Sequence, residues 1–129
     1  MHRFAAVAGL AIFGMMALSA GVTASAQDAA KVDTKHYKVE FENDQVRILR
    51  INVGPHEKSV MHSHPAGVVV FLTDGHFKFT VPGGKTEDAT VKAGTVRWSD
   101  AVTHLGENLG DNATEVIQVE LKSKAAAAK

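Results

Sequence analysis

A two-residue apolar alternation constrains this chain more than any other feature, because glycine, proline and asparagine keep cutting it into short pieces. In Gln45–Val53, Leu49, Ile51 and Val53 fall on one face, with Arg47, Val46, Ile48 and Arg50 around them. In His76–Val81, Phe77, Phe79 and Val81 alternate with His76, Lys78 and Thr80. In Ala113–Leu121, Ile117, Val119 and Leu121 alternate with Val116, Gln118 and Glu120. Side chains two apart share a strand face, so each run reads as a half-buried strand. The cuts fall at Asn43-Asp44, Gly54-Pro55, Asp74-Gly75, Pro82-Gly83-Gly84, Ala93-Gly94 and Gly110-Asp111-Asn112. These residue types supply positive φ or a preset φ, and so mark turns. Val68–Leu72 is apolar on both faces and is expected to be a central, covered strand. Within it Val68, Val70 and Leu72 are expected to line the interior. Val69 and Phe71, with Phe77 or Phe79, would then cover a partner subunit in a homodimer. No window carries a convincing helical stripe. About eight or more short antiparallel strands with tight turns predict an all-β sandwich or closed barrel.

The N-terminus has a different character. His2 and Arg3 precede an uncharged apolar run from Phe4 to Leu18, and the segment turns small and polar toward Ala24-Ser25-Ala26. This is the pattern of an export signal cut after Ala26, which predicts a signal peptide at 1–26 and a periplasmic or secreted protein with no membrane attachment after cleavage. The alternative is an uncleaved anchor, since a span needs about 20 apolar residues and Phe4–Gln27 just reaches that. Residues 27–35 are polar and Ala-rich, read as a flexible lead-in. Residues 36–122 form the domain, and 123–129 a frayed tail. Roughly one hundred residues after cleavage suit one domain and not two. Cysteine is absent, which excludes disulfides and thiolate metal sites. The 14 Lys and Arg balance the 14 Asp and Glu, so there is no basic excess with which to bind nucleic acid.

Chemistry concentrates in the histidines. His62 and His64 flank Ser63 just before the covered strand, and at i and i+2 both imidazoles point to one side. Neutral imidazole is the commonest protein ligand for divalent first-row metals. Much later come Gly94, Trp98, and His104 followed four residues on by Asn108. With these residues the chain resembles the cupin superfamily from about Val46 to Leu121. That family's first motif has a glycine, a His-x-His pair, a glutamate three or four residues on, and a glycine after six more. Its second has a glycine, a proline-containing loop, a histidine, and an asparagine four residues later. Here His62, His64, Val68 and Gly75 reproduce the first spacing, and Gly94, His104 and Asn108 most of the second. Leu72-Thr73-Asp74-Gly75 and Glu107-Asn108-Leu109 are also typical phrases of small bacterial cupins. The resemblance implies a jelly-roll barrel with His62, His64 and His104 converging inside it as ligands of a divalent metal: Fe, Mn, Ni, Cu or Zn.

Three departures accompany it. Val68 stands at the glutamate position, the leading glycine falls at Gly54 with His56 where the motif would have it, and Asp100 replaces the usual proline. Without the carboxylate, three histidines leave coordination positions open, a count typical of catalytic metals. Thiol and diketone dioxygenases of the cupin type bind iron in this way. The function so implied is a metal-dependent reaction, of oxygenase or isomerase type, on a small organic molecule. The alternative is a non-catalytic periplasmic binder of metal or small ligand. No nucleophile elbow, cysteine nucleophile or phosphate-binding glycine loop competes. Around the trio, Asn108 shares the strand face of His104, and is expected beside the site or as a turn-capping amide at Gly110. Trp98 is expected to wall the pocket or join the core, and His56 to be solvated or part of the pocket rim. Glu107, Asp100 and His56 are the nearest acid–base candidates. His76 and His36 are expected at the surface.

Overall fold

The computed structural model describes residues 27–123; the signal expected at 1–26 and the last six residues of the tail lie outside the described residues. A one-turn helix α1 (Ala29–Val32) leads into nine strands: β1 (Tyr37–Glu42), β2 (Val46–Val53), β3 (His62–His64), β4 (Gly67–Phe71), β5 (Gly75–Thr80), β6 (Thr86–Val91), β7 (Val96–Ser99), β8 (Val102–Asn108) and β9 (Thr114–Leu121). They form a five-stranded sheet in the order β1-β2-β9-β4-β7 and a four-stranded sheet in the order β3-β8-β5-β6. Every named pairing is antiparallel. Apart from the β1–β2 and β5–β6 hairpins, strands that follow one another in sequence alternate between the sheets, the arrangement of a jelly roll. Among the described residues no helix is long and apolar enough to cross a membrane.

Register explains what faces inward. On the five-stranded sheet Leu49 pairs with Gln118, Gln118 with Val69, and Val69 with Arg97. The adjacent inward row joins Ile51, Val116 and Phe71, and the one on the other side joins Arg47, Glu120 and Gly67. Leu49, Ile51, Phe71 and Val116 are buried, and so are Gln118 and Glu120. At Gly67 an added Cβ would lie 1.9 Å from the Val119 carbonyl oxygen, so β4 and β9 approach there more closely than a side chain permits. The outward row is apolar across all five strands: Phe41, Ile48, Val119, Val68 and Trp98 are successive cross-strand partners. Phe41 and Trp98, at its two ends, are 51 % and 59 % exposed.

The structure corrects three expectations. Val69 and Phe71 line the interior, while Val68, Val70 and Leu72 belong to the outward phase, Leu72 well exposed. The Pro65-Ala66 turn between β3 and β4 interrupts the alternation, so counting by twos from His64 gives the wrong face. Residues 27–35 are docked and not a flexible lead-in: Ala29 is fully buried, and Asp28 caps α1 by accepting the Ala30 N–H at 3.0 Å. His36 is buried, not superficial, with Nδ1 at 2.9 Å from the buried Asp33 carboxylate.

Candidate metal centre

The three histidines meet because two strands lie side by side. His62 on β3 is the cross-strand partner of His104 on β8, and His64 sits two residues along the same face as His62. Ring centroids are 4.6 Å apart for His62–His64, 5.0 Å for His62–His104 and 5.6 Å for His64–His104. One nitrogen from each ring lies within 4.8 Å of the other two. Nitrogens held about 2.1 Å from a tetrahedral ion stand roughly 3.4 Å apart, so small ring movements suffice to close the site.

Each ring is oriented differently. His62 is fully buried, and its Nδ1–H donates to the Val60 carbonyl at 2.6 Å. Its Nε2 is left buried with no hydrogen-bond partner. A buried acceptor without a partner is costly, and a cation bound there would satisfy it. His64 donates Nδ1–H to Glu120 Oε2 at 2.7 Å, which leaves Nε2 as its free lone pair. Glu120, 2 % exposed, also accepts from Arg47 Nε at 2.7 Å, and Arg47 forks onto Asp28 at 2.6 and 2.9 Å. His104 stacks on Phe79, with centroids 5.1 Å apart and planes 18° off parallel. Burial, and then the His64 charge, push His62 down to about 4; burial and the other two histidines push His104 down to about 3. Both are therefore neutral near pH 7, the form that ligates metal. Tyr37 closes the cluster with its ring 4.6 Å from His62, and burial raises its phenol well above the ordinary value.

A cavity of about 470 Å³ opens onto His64 and His104. Its walls are Ile51, Phe71, Phe77, Phe79 and Val116, with Gln118 as a buried polar group among them. At the expected glutamate site, the inward side chain is Val69, separated from the pair by four residues, while Val68 stands on the outer face between Val119 and Trp98. Both residues are valine, so no carboxylate enters from β4. Asn108 is fully buried and borders the cavity on the His104 face, but its amide serves the backbone: Nδ2 reaches the carbonyls of Val53, Gly54 and Asn112, and Oδ1 accepts from Gly110 at 2.9 Å. Trp98 sits at the mouth and is not core, its Nε1–H donating to Asp100 at 3.0 Å. His56 stands away from the cavity, with φ of 58° and its ring at 2.8 Å from exposed Asp111. Glu107 is paired with Lys78. None of the three acid–base candidates borders the cavity.

Sequence reading missed Glu120, Arg47, Asp28, Asp33, Tyr37 and Gln118. Asp33 accepts the Val60 N–H at 3.0 Å and so fixes the carbonyl that holds His62. The one available signal was a charge in the buried phase of a strand: Arg47 precedes Leu49 and Ile51, and Glu120 follows Val116 and Gln118.

Solved structures agree with this architecture. A cupin domain from Bordetella pertussis Tohama I superposes with a TM-score of 0.62 at 22 % identity, over 67 % of this chain and 92 % of that one. The chain has a cupin fold. An RmlC-like cupin from Methanocaldococcus jannaschii with a double-stranded β-helix matches at 0.53 and 14 % identity, over 66 % of this chain and 77 % of that one. A cupin 2 conserved barrel protein from Salinispora arenicola matches at 0.51 and 17 %, over 67 % and 75 %. No family model and no curated protein matches the sequence. At these identities the cupin likeness concerns fold, and the chemistry rests on the side chains themselves.

Proposed function

We propose that this is an exported, metal-dependent cupin enzyme that transforms a small organic molecule in the cavity beside His62, His64 and His104. The observation that carries the reading is the buried, unpartnered Nε2 of His62 within a cluster of three convergent imidazoles. Three imidazoles suit Fe, Ni, Cu or Zn, and Mn less well. A divalent ion held there supplies Lewis-acid or redox activation at its open positions. The chain contributes the rest. The Val60 carbonyl and Glu120 fix the tautomers of His62 and His64, so that Nε2 of each remains a lone pair. Phe79 sets the plane of His104, and the phenylalanine walls exclude water from whatever sits against the cluster.

A non-catalytic receptacle is the second reading. Val69 at the inward position and, among the described residues, the lack of a carboxylate ligand in the cluster favour it. In either case the expected homodimer is best served by the outward row Phe41–Ile48–Val119–Val68–Trp98, which is continuous, apolar and uncovered. Elemental analysis of protein isolated from the periplasm, beside a His62→Ala/His104→Ala double variant, tests the site. We expect close to one equivalent of a transition metal in the first and none in the second. Equal metal content would overturn the assignment. Turnover by the metal-loaded protein then separates enzyme from binder.

A further inference from the structure

Arg97 has no role in the arrangement described so far. The described residues include three arginines. Arg47 is paired with Asp28 and Glu120, and Arg50 with Glu40 and Glu115, whereas Arg97 has no carboxylate within ion-pair distance. Arg97 lies on the edge strand β7, in the inward phase beside Val69, and it lines the cavity. Its guanidinium carbon stands 5.9 Å over the Phe71 ring, a cation–π contact that holds the head over the cavity mouth. Lys85 and Glu87, on the β6 side, also border the opening, so the mouth carries two cations against one anion. Beyond it the walls are mostly aromatic and aliphatic as far as the histidines, with Gln118 and Asn108 as polar exceptions.

We propose that Arg97 is the carboxylate anchor of this cavity, and that the ligand is a small organic monoanion with an apolar body. The anion forks onto Arg97 at the mouth, the body packs against Phe71, Phe77 and Phe79, and the far end meets the histidine cluster. A guanidinium presents two parallel N–H donors that match a carboxylate, and one unpaired cation balances one negative charge. A 470 Å³ cavity accommodates a ring or short alkyl chain between the two ends. The placement of the far end rests on the metal-site reading above; the anchor itself does not.

Calorimetric titration with matched acid and amide probes tests this. Phenylacetate is compared with phenylacetamide, and hexanoate with hexanamide, on zinc-loaded protein and on chelator-stripped protein. We expect each acid to bind about tenfold or more tightly than its amide in both preparations. Arg97→Gln should erase that preference, Arg97→Lys should keep part of it, and zinc content should be unchanged in both variants. A preference that survives Arg97→Gln but disappears on stripping zinc would place the carboxylate on the metal and overturn the anchor, leaving the metal site intact. Equal binding of acid and amide, or no binding of any probe at millimolar concentration, would overturn it as well. A preference that depends on Arg97 in a protein unable to take up zinc would uphold the anchor and refute the metal reading alone.

Discussion

Glu120→Gln is the sharpest test of how the site is held. Glu120 accepts on both oxygens, from His64 Nδ1 at 2.7 Å through Oε2 and from Arg47 Nε at 2.7 Å through Oε1. Glutamine keeps the shape but has one acceptor and one donor end. With its oxygen toward His64, its NH₂ meets the Arg47 guanidinium, donor against donor. With its oxygen toward Arg47, its NH₂ demands that His64 Nδ1 accept, which moves the ring proton to Nε2 and removes the lone pair a metal needs. Side-chain exposures of 2 % at Glu120 and 1 % at His64 leave almost no water to relieve either conflict. A hydrogen bond to a charged group contributes roughly 1.5–3 kcal/mol, and Arg47 retains Asp28, so we expect a stability loss of about 2–4 kcal/mol. Loss of the carboxylate behind a ligating histidine should weaken metal binding by about 10- to 100-fold. Urea unfolding of stripped protein reads the first quantity, and competition with a chromophoric zinc chelator reads the second. Adding Arg47→Met removes the competing donor, so the double variant should regain part of the lost zinc affinity although it has lost a further ion pair. Zinc affinity unchanged in Glu120→Gln, or no better in the double variant than in the single one, would refute the tautomer argument.

Two further predictions concern the same architecture. Because burial pushes His62 down to about 4 and His104 down to about 3, both gain a proton on unfolding below their ordinary value near 6.5. The unfolded chain then binds more protons, so metal-free protein should lose stability as pH falls from about 6.5 toward 4, by at most a few kcal/mol for the pair. Urea midpoints measured across that range should flatten in a His62→Gln/His104→Gln variant, and an equally steep profile there would refute the assignment. For the homodimer, light scattering should give twice the protomer mass, and Val119→Glu, in the middle of the outward row, should halve it with the fold intact by circular dichroism; a monomeric parent protein would rule that surface out.

Legibility from sequence followed the range of each interaction. His62 and His64 were readable together because two residues on one strand need only the period of a strand to converge. His104 could be joined to them only through the resemblance, since its pairing with His62 is a register between segments far apart in the chain. The Asp28–Arg47–Glu120–His64 chain crosses from the N-terminal segment through two strands of one sheet to a strand of the other, and no local pattern encodes it. Residues 27–35 misled for a related reason. Their composition has too little apolar surface to predict packing, yet one buried alanine and two acids that find long-range partners tie them down.

The inverted reading of β4 has a deeper cause. Apolar alternation locates the core when the interior is a core, but the interior here is a cavity that ends in polar groups. Along β9 the inward phase is Thr114, Val116, Gln118 and Glu120, and the outward phase is Glu115, Ile117, Val119 and Leu121, so the more apolar face points away from the barrel centre. The same holds at Val68 and Val70 against Gly67 and Val69, where the outward pair is the bulkier. A strand more apolar outside than inside is unstable in isolation unless its outer face is covered and its inner polar groups are satisfied. Glu120 is satisfied by His64 and Arg47, and the Gln118 amide faces the cavity. On the reading proposed above, the polar inward phase faces the ligand and the apolar outward phase faces the second chain, so a central strand with its faces reversed is what a ligand-binding, dimeric barrel would require.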